Sequence, residues 1–530
     1  MTSGGEDMRQ NRTVDTLVVG AGFSGLGAAI RLTQEGFDDL VVLERGSDVG
    51  GTWRDNTYPG AACDVPSHLY SYSFALNPGW SRAFSPQGEI YDYIRSVAHE
   101  SGVLDKIRFG VEVTAVEFDA ERERWTVETD ADTYDARVVV LGVGALCEPK
   151  LPEIDGIDEF SGQVFHTARW DHRTVLAGKR VAVIGTGASA IQVVPSIAGQ
   201  VEHLDVYQRT APWILPRIDR TYSETERAAY RKIPCLQRAV RALQYASREF
   251  QVVGLTRSRA ALTPIRLIGR AHLAMQVRDR RLREAVTPTF EIGCKRILLS
   301  NTWYPTLSRD NVDLVTSPIE RVTADGIVTA DGVDHPADVL VVATGFHVTD
   351  SPFFERVRDA AGRTLADKWA TDGMEAYKGT TVSGYPNLFV LVGPATGLGH
   401  SSMIYMIESQ LNYLASAMET MRERGLQTVD VREAVQGAYN AALRADTNET
   451  VWTSGCASWY LDAKGNAPAV WPDFTFAYRG QTREFDLSAY RRTAAADAVA
   501  TVSTDDPDTP EVDVVPAAAA AEKSGQVNQQ

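Results

Sequence analysis

The chain has 530 residues, 44 % of them hydrophobic and 23 % charged, with a net charge of −16. This composition predicts a globular protein of three or four domains and excludes one that is mainly disordered or fibrous. The acidic balance argues against nucleic-acid binding, since contact with phosphates requires a basic surface. The longest apolar run, 138–147, is too short to span a bilayer and the N-terminus has no apolar signal segment, so we expect a cytoplasmic protein without a transmembrane segment.

The cysteines give no sign of a disulfide framework, a zinc site or a redox dithiol. They are odd in number and scattered, and none forms a Cys-x-x-Cys pair. Each is therefore expected to be a reduced thiol, and no metal site is expected. The five positions are Cys63, Cys147, Cys235, Cys294 and Cys456.

The first predicted element after the polar segment 1–13 is a nucleotide-binding turn. Residues 16–27 read TLVVGAGFSGLG, an apolar strand followed by Gly20-x-Gly22-x-x-Gly25 and a helical pattern. A second strand, LVVLE, ends at Glu44. Glycines permit a tight turn and a close approach to pyrophosphate, and the acid accepts ribose hydroxyls. The pattern favours FAD or NAD.

A second turn of the same kind follows at Gly185-x-Gly187-x-x-Ala190. Its closing strand ends in Gln208-Arg209, where the first unit has its acid. Loss of the carboxylate and gain of a guanidinium favour a 2′-phosphate, because arginine makes charge-assisted bidentate contacts with phosphate. The second nucleotide is therefore predicted to be NADPH.

The segment 217–296 is the one basic stretch of this acidic chain, with 18 Lys and Arg against 7 Asp and Glu. Leu236, Val240, Leu243 and Phe250 recur at helical spacing among arginines. We interpret the segment as a helical insertion with a solvated basic face. A peripheral membrane surface and a basic wall that attracts an anionic cofactor are the alternatives.

Two further apolar strands, 137–144 and 338–345, predict that the chain crosses between the two nucleotide units. The expected fold is α/β, with two interleaved Rossmann-like domains and a helical insertion, as in flavin monooxygenases. The predicted divisions are an FAD domain over 14–150 and 386–492, an NADPH domain over 151–216 and 297–385, an insertion over 217–296, and disordered termini at 1–13 and 493–530. The C-terminal part is rich in alanine and acids.

Two signatures identify a family. The first runs from Phe160 through Gly162, His166 and Trp170 to Asp171 and resembles F-x-G-x-x-x-H-x-x-x-W-[PD] of type I, class B flavin-dependent Baeyer–Villiger monooxygenases. The second begins at Gly50-Gly51 and continues through Trp53, Tyr58-Pro59-Gly60 and Asp64. The chain is similar to this family over about residues 14–480.

The resemblance implies that NADPH reduces FAD, that O2 then gives a C4a-peroxyflavin, and that this species converts a small-molecule ketone into an ester or lactone. A flavin monooxygenase that oxidises sulfur or nitrogen is the alternative. A non-catalytic flavoprotein that responds to NADPH is the second alternative. A disulfide reductase is excluded by the cysteine pattern.

Site residues follow from the same resemblance. Arg296 is expected to stabilise the anionic intermediate, since its guanidinium does not release a proton, and Asp64 to orient it. The implied cofactor contacts are Gly20, Gly22, Phe23, Ser24, Gly25, Glu44, Arg45, Thr52, Trp53, Asp64, Tyr70, Gly185, Thr186, Gly187, Ala188, Ser189, Arg209, Thr210, Lys295 and Met403. Met403 and Trp459 are implied to line the substrate pocket.

Some positions depart from the family pattern. Ala145 stands where some members have glutamine, and Ala395 and Ser401 replace asparagines. These changes leave the substrate preference open. For His166 a structural or hinge role is favoured over a catalytic one.

Overall fold

The computed structural model describes residues 10–462 and 464–494. Its strands are β1 (Asn11–Val19), β2 (Leu40–Glu44), β3 (Ile107–Phe109), β4 (Val113–Asp119), β5 (Arg124–Thr129), β6 (Thr133–Leu141), β7 (Gln163–His166), β8 (Arg180–Ile184), β9 (His203–Tyr207), β10 (Ile214–Leu215), β11 (Leu298–Leu299), β12 (Val312–Val315), β13 (Ile319–Thr323), β14 (Gly326–Thr329), β15 (Asp334–Pro336), β16 (Val339–Val342), β17 (Val357–Arg358), β18 (Leu388–Val390), β19 (Leu426–Val431) and β20 (Tyr490–Ala494).

The α-helices are α1 (Phe23–Gln34), α2 (Thr52–Asp55), α3 (Gln87–Glu100), α4 (Ala190–Ile197), α5 (Glu224–Lys232), α6 (Pro234–Val252), α7 (Thr263–Gln276), α8 (Arg280–Ala285), α9 (Trp303–Leu307), α10 (Leu365–Asp372), α11 (Met403–Glu423), α12 (Glu433–Asn448) and α13 (Thr475–Gln481). Within residues 10–462 and 464–494, none of the helices combines the length and the apolar character that a membrane span requires.

The first sheet carries the first glycine turn. Its strand order is β17-β4-β5-β6-β1-β2-β3, and β18 pairs with β6. The strands β2, β1, β6 and β18 are parallel, whereas β4, β5 and β6 form an antiparallel meander. Residues of β1 and β2 are buried on both faces, because α1, α3 and α11 cover one face and the segment around α10 packs on the other.

The second sheet carries the second turn. It is wholly parallel in the order β12-β9-β8-β16-β7. Helices α4 and α9 pack on one face, and the antiparallel strands β13 to β15 cover the other. The two sheets, each entered by a strand, a glycine turn and a helix, confirm the predicted α/β class with two Rossmann-like units.

The strands of the structure differ from the predicted domain divisions at three places. Strand β17, within the range 297–385 predicted for the NADPH domain, pairs with β4 of the first sheet. The predicted disordered ends also lose residues to strands, because β1 starts at Asn11 and β20 ends at Ala494. These strands are short or begin in polar residues, so no local sequence pattern marks these parts as strands. The rest of both predicted disordered segments, 1–9 and 495–530, lies outside the described residues.

The insertion 217–296 is helical, as predicted, and contains α5 to α8 between the parallel pair β10 and β11. The outer face of α6 is basic at Arg238, as predicted, but it is also apolar, which was not predicted. Leu243 and Phe250 are 72 % and 76 % exposed, whereas the Arg241 guanidinium reaches inward to the carbonyl oxygens of His68 and Leu69. Helical periodicity defines a face but does not state which face meets the protein.

Candidate active site

The first glycine turn is a close contact of three backbone segments. Gly20 has a φ of +94°, which favours glycine, and its N–H donates to Leu43 O at 2.7 Å. A Cβ on Gly25 would lie 1.8 Å from Gly20 O, and one on Gly142 would lie 2.8 Å from Gly25 Cα. Gly22 precedes α1 and has no side chain to cap its first N–H groups. The helix start can therefore receive an anion.

Glu44 ends β2 beside this turn, as predicted, but it already has partners in the protein. Ala21 N–H donates to its Oε2 at 2.8 Å, and Gly46 N–H to its Oε1 at 2.7 Å. The Arg54 guanidinium also contacts Oε1 at 2.7 Å. Arg54 was not predicted, because the contact joins the end of β2 to the short helix α2 and no sequence motif marks it. The carboxylate is buried and held in place, and it keeps lone pairs with which to accept further hydrogen bonds.

The remaining residues predicted near the first turn fall into one cluster. The Trp53 ring N–H donates to the Tyr70 hydroxyl at 3.0 Å, and Phe23 packs edge-on against Tyr70. Ser24 Oγ donates to Gly142 O at 3.2 Å. Thr52 and Arg45 lie near the same edge, where they contact Leu146 O and Glu148.

The second glycine turn is more open than the first. Gly185 has a φ of +117°, and a Cβ there would lie 2.6 Å from Ala343 O. A Cβ on Gly187 would meet nothing within 4 Å among the described residues. Thr186 Oγ1 donates to Thr210 O at 3.2 Å, and Ala188 and Ser189 complete the turn before α4. The open space at Gly187 leaves room for a ligand.

Two cations stand beside the second turn. Arg209 is exposed and Lys295 half-buried, and neither forms an ion pair within the part of the chain that the structure describes. Burial lowers the pKa of Lys295, and the nearby charge of Arg209 lowers it further. Like charges held close without a carboxylate destabilise each other, and an anion between them would relieve this repulsion.

Arg296 and Asp64 form a bidentate pair. Arg296 Nε donates to Asp64 Oδ2 and Nη2 to Oδ1, both at 2.7 Å, and Nη1 donates to Leu398 O at 3.2 Å. Arg296 precedes β11, while Asp64 lies between α2 and α3. The side chains are 25 % and 27 % exposed, so both face an opening rather than solid protein.

Both members of the pair are ionised near pH 7. Burial alone would raise the pKa of Asp64, but the charge and hydrogen bonds of Arg296 outweigh burial and lower it. Burial opposes the charge of Arg296, yet Asp64 raises the pKa of the guanidinium above its usual range. Burial raises the pKa values of the neighbouring Cys63 thiol and Tyr460 phenol to about 12, so both stay neutral near pH 7.

A second arginine, Arg248 of the basic insertion, lies near the Arg296–Asp64 pair. Arg248 lies on the inward side of α6 and has no hydrogen-bond partner among the described residues. Its neighbours on that side, Tyr245 and Glu249, bind Thr475. Burial lowers the pKa of Arg248, while the charges of Asp64 and Arg296 act on it in opposite directions. Nothing in local spacing distinguishes it from the exposed arginines.

Cys294 and Cys456 are joined by a disulfide bond, contrary to the expectation that every cysteine is a reduced thiol. The pairing links the loop of Arg296 to the segment of Trp459 and Tyr460, and 162 positions separate the two cysteines. Tertiary packing brings them together, which spacing along the sequence does not reveal. Cys63, Cys147 and Cys235 are free thiols.

Met403 and Trp459 occupy different surroundings. Met403 is the first residue of α11 and packs against a cluster that includes Leu398 and Trp471. Trp459 is 43 % exposed and lies against Tyr460, with ring centroids 4.2 Å apart. Arg296 contacts Leu398 O, and Leu398 belongs to the cluster of Met403. Arg296 also lies near Tyr460, which contacts Trp459. One residue therefore separates each of Met403 and Trp459 from the Arg296–Asp64 pair.

His166 ends β7 in the second sheet. Its Nδ1 accepts the Ala168 N–H at 3.1 Å, and burial lowers its pKa to about 4. The ring is therefore neutral near pH 7. Trp170 packs edge-on against Phe165, with centroids 4.9 Å apart. These contacts are typical of a packed segment between two domains. The structural or hinge role of His166 stays a prediction.

One departure from the family pattern has a backbone consequence. Ala395 has a φ of +54°, in the left-handed region that asparagine tolerates better than alanine. Ser401 Oγ is buried and has no hydrogen-bond partner in the described part of the chain. The backbone at position 395 is therefore one that asparagine adopts more readily than alanine, whereas nothing in the structure explains Ser401. Nothing in the structure explains Ala145.

Comparisons with known proteins agree with this geometry. Residues 14–225 match the family described as flavin-binding monooxygenase-like. A Baeyer–Villiger monooxygenase of Streptomyces coelicolor is 50 % identical over 480 residues, which cover 90 % of this chain and 92 % of the relative. One from Pseudomonas aeruginosa is 46 % identical over 479 residues, covering 90 % and 91 %.

Solved structures extend the likeness to the whole fold. An oxidised steroid monooxygenase bound to NADP superimposes with a TM-score of 0.81 at 31 % identity and covers 91 % of this chain and 100 % of its own. A closed cyclohexanone monooxygenase gives a TM-score of 0.81 at 29 % identity, covering 92 % and 100 %.

Proposed function

The chain belongs to the Baeyer–Villiger monooxygenase family, and from this premise we propose that it uses NADPH and O2 to convert a ketone into an ester or lactone, with FAD bound at the first glycine turn. The observation that carries the proposal is the bidentate Arg296–Asp64 pair, which faces an opening beside the loop before α11.

The first unit fits FAD. The uncapped start of α1 would receive the pyrophosphate, and Glu44 retains lone pairs for the ribose hydroxyls. The proposed contacts are Gly20, Gly22, Phe23, Ser24, Gly25, Glu44, Arg45, Thr52, Trp53, Asp64, Tyr70 and Met403. The second unit fits NADPH, through Gly185, Thr186, Gly187, Ala188, Ser189, Arg209, Thr210 and Lys295. The open turn and the unpaired cations support this assignment.

FAD, when bound, accepts a hydride from NADPH and reacts with O2. The protein's own part is to stabilise negative charge on oxygen and to exclude water. Arg296 supplies a permanent positive charge, and Asp64 fixes the plane of its guanidinium. Arg248 adds a second charge from α6. The neutral Tyr460 and Cys63 bring no competing anion, and Met403 and Trp459 are proposed to line the substrate pocket.

Product identification tests the proposed reaction. The purified protein is incubated with NADPH, O2 and a panel of cyclic, linear, aryl and steroidal ketones, together with thioethers. Esters or lactones are expected from at least one ketone. Sulfoxides alone would assign the chain to sulfur oxidation instead, and a flavin that NADPH fails to bleach without O2 would exclude an enzyme. A cytoplasmic location is proposed as well, because the reaction consumes NADPH.

The choice of nucleotide depends on Arg209. Changing Arg209 to alanine is expected to lower kcat/KM for NADPH by about 10- to 100-fold, the usual worth of one charge-assisted bond to phosphate. Activity with NADH should change little, since NADH has no 2′-phosphate. Arg173→Ala, which removes an equally charged side chain that is 93 % exposed, is the control. Equal losses with both nucleotides would contradict the assignment.

A further inference from the structure

Helix α6 turns an apolar face to solvent. Leu236, Leu243 and Phe250 follow one another at intervals of seven residues and are all exposed, together with Ala239 and Ala246 between them. In an ordinary surface helix the outward face is polar and the apolar stripe faces the core. Here the polar side chains Gln237, Arg241, Tyr245 and Glu249 make the contacts with the protein instead.

Helix α7 repeats this arrangement. Its exposed positions include Leu267, Ile268, Ala271, Ala274 and Met275. Of the 17 large hydrophobic side chains that are exposed in the described part of the chain, 6 lie on α6 and α7. Scattered exposed hydrophobics are normal, but such a concentration on two successive helices marks a surface that is covered by a partner.

The charges on these two helices have one sign. Between Ile233 and Arg278 the sequence contains a single acid, Glu249, and that residue is buried. The exposed side chains of Arg238, Arg270 and Arg278 have no carboxylate partner among the described residues. The whole chain carries −16, so this surface is basic on an otherwise acidic molecule.

We propose that the outward faces of α6 and α7 dock on the surface of an anionic lipid bilayer, with their apolar side chains at the level of the headgroups. Exposed Leu, Ile, Met and Phe side chains flanked by arginines are the combination that binds such an interface. The acidic remainder of the protein would be repelled by the same surface, so only this face can approach it.

A second copy of the chain fits this surface less well. An isologous pair would bring together the same basic patch of both copies, and the patch offers no exposed carboxylate on α6 or α7 to receive its arginines. An anionic membrane satisfies the charge and the apolar area together. This inference concerns the insertion and does not depend on the reaction that the site performs.

Sedimentation with lipid vesicles tests the proposal. The full-length protein with its flavin is mixed with vesicles of phosphatidylcholine alone or of phosphatidylcholine with phosphatidylglycerol. We expect sedimentation with the anionic vesicles only, and partial release when salt is raised, because each basic residue at such a surface is worth about a fivefold change in partitioning at ordinary ionic strength.

Matched variants locate the contact. Leu243→Glu with Phe250→Glu is expected to weaken vesicle binding at least about tenfold, since it replaces apolar anchors with repelled charges. Ile268→Glu with Met275→Glu should act likewise on α7. Val175→Glu with Val333→Glu adds the same charge at exposed apolar positions elsewhere and should bind as the parent does. The flavin content of each variant, compared with that of the parent, shows whether the fold is intact.

Three results would overturn the proposal. The first is failure of the parent to sediment with anionic vesicles, and the second is equal binding by the parent and both helix variants. The third is a parent that is a dimer in light scattering and becomes a monomer on Leu243→Glu with Phe250→Glu, because a second copy would then cover the face.

Discussion

Replacing Arg296 with alanine is expected to lower ester or lactone formation by about 10²- to 10³-fold, the usual effect of removing one group that stabilises a developing anion. The flavin should still bind and still be bleached by NADPH in the absence of O2, because Arg296 contacts Asp64 and Leu398 rather than either glycine turn. Product yield and anaerobic bleaching, measured on the same preparation, separate the two half-reactions.

Two companion variants sharpen this prediction. Arg296→Lys keeps a charge but loses the bidentate contact with Asp64, so it should recover only part of the yield. Arg280→Ala removes a side chain of the same insertion that is 91 % exposed, and should behave as the parent does. A normal ester yield from Arg296→Ala would refute the role given to this residue, whereas loss of bleaching would assign it to the nucleotide.

Changing Gly25 to alanine is expected to leave the purified protein with less than about a tenth of its flavin, because an overpacked backbone contact forces the whole turn to move. The new Cβ would lie 1.8 Å from Gly20 O and 3.3 Å from a side-chain carbon of Val18. Neither Gly20 O nor the strand behind it can retreat, since Gly20 N–H is bonded to Leu43 O. Flavin absorbance per protein measures the outcome.

Gly88→Ala is the matched control for this change. Gly88 lies in the first turn of α3 in the same unit, and a Cβ there meets nothing within 4 Å among the described residues. This variant should keep its flavin and gain slightly in stability, because alanine favours a helix over glycine. A full flavin content in Gly25→Ala would show that the turn does not hold the cofactor.

The sequence predicted what is local. Each glycine turn is one run of strand, turn and helix, so composition and spacing suffice to place Gly20 and Gly185. It did not predict contacts between separate elements, such as Arg54 of α2 with Glu44 of β2, β17 with β4, or the disulfide of Cys294 and Cys456. Nothing in the spacing of the cysteines suggested that bond, because tertiary packing alone brings the two residues together.

The basic insertion shows what a charge count leaves open, namely which side chains of a helix are buried. The sequence correctly gave helices and an excess of arginine, and from these a solvated basic face was inferred. In the structure Arg241 and Arg248 face inward, and Leu243 and Phe250 face outward. Periodicity is identical for either orientation, so only the partners across the fold decide which side is buried.

The pairing of β18 with β6 also sets an order of events during synthesis. The first sheet lacks β18, and α1 lacks its cover from α11, until the ribosome has made the entire second unit and the insertion. Until then the apolar surface of β1, β2 and α1 stays exposed. The second sheet is complete earlier, once β16 has been synthesised. Long-range pairing of this kind is slow and prone to aggregation. The nascent first half is therefore the part of this chain whose apolar surface is expected to stay exposed longest during synthesis.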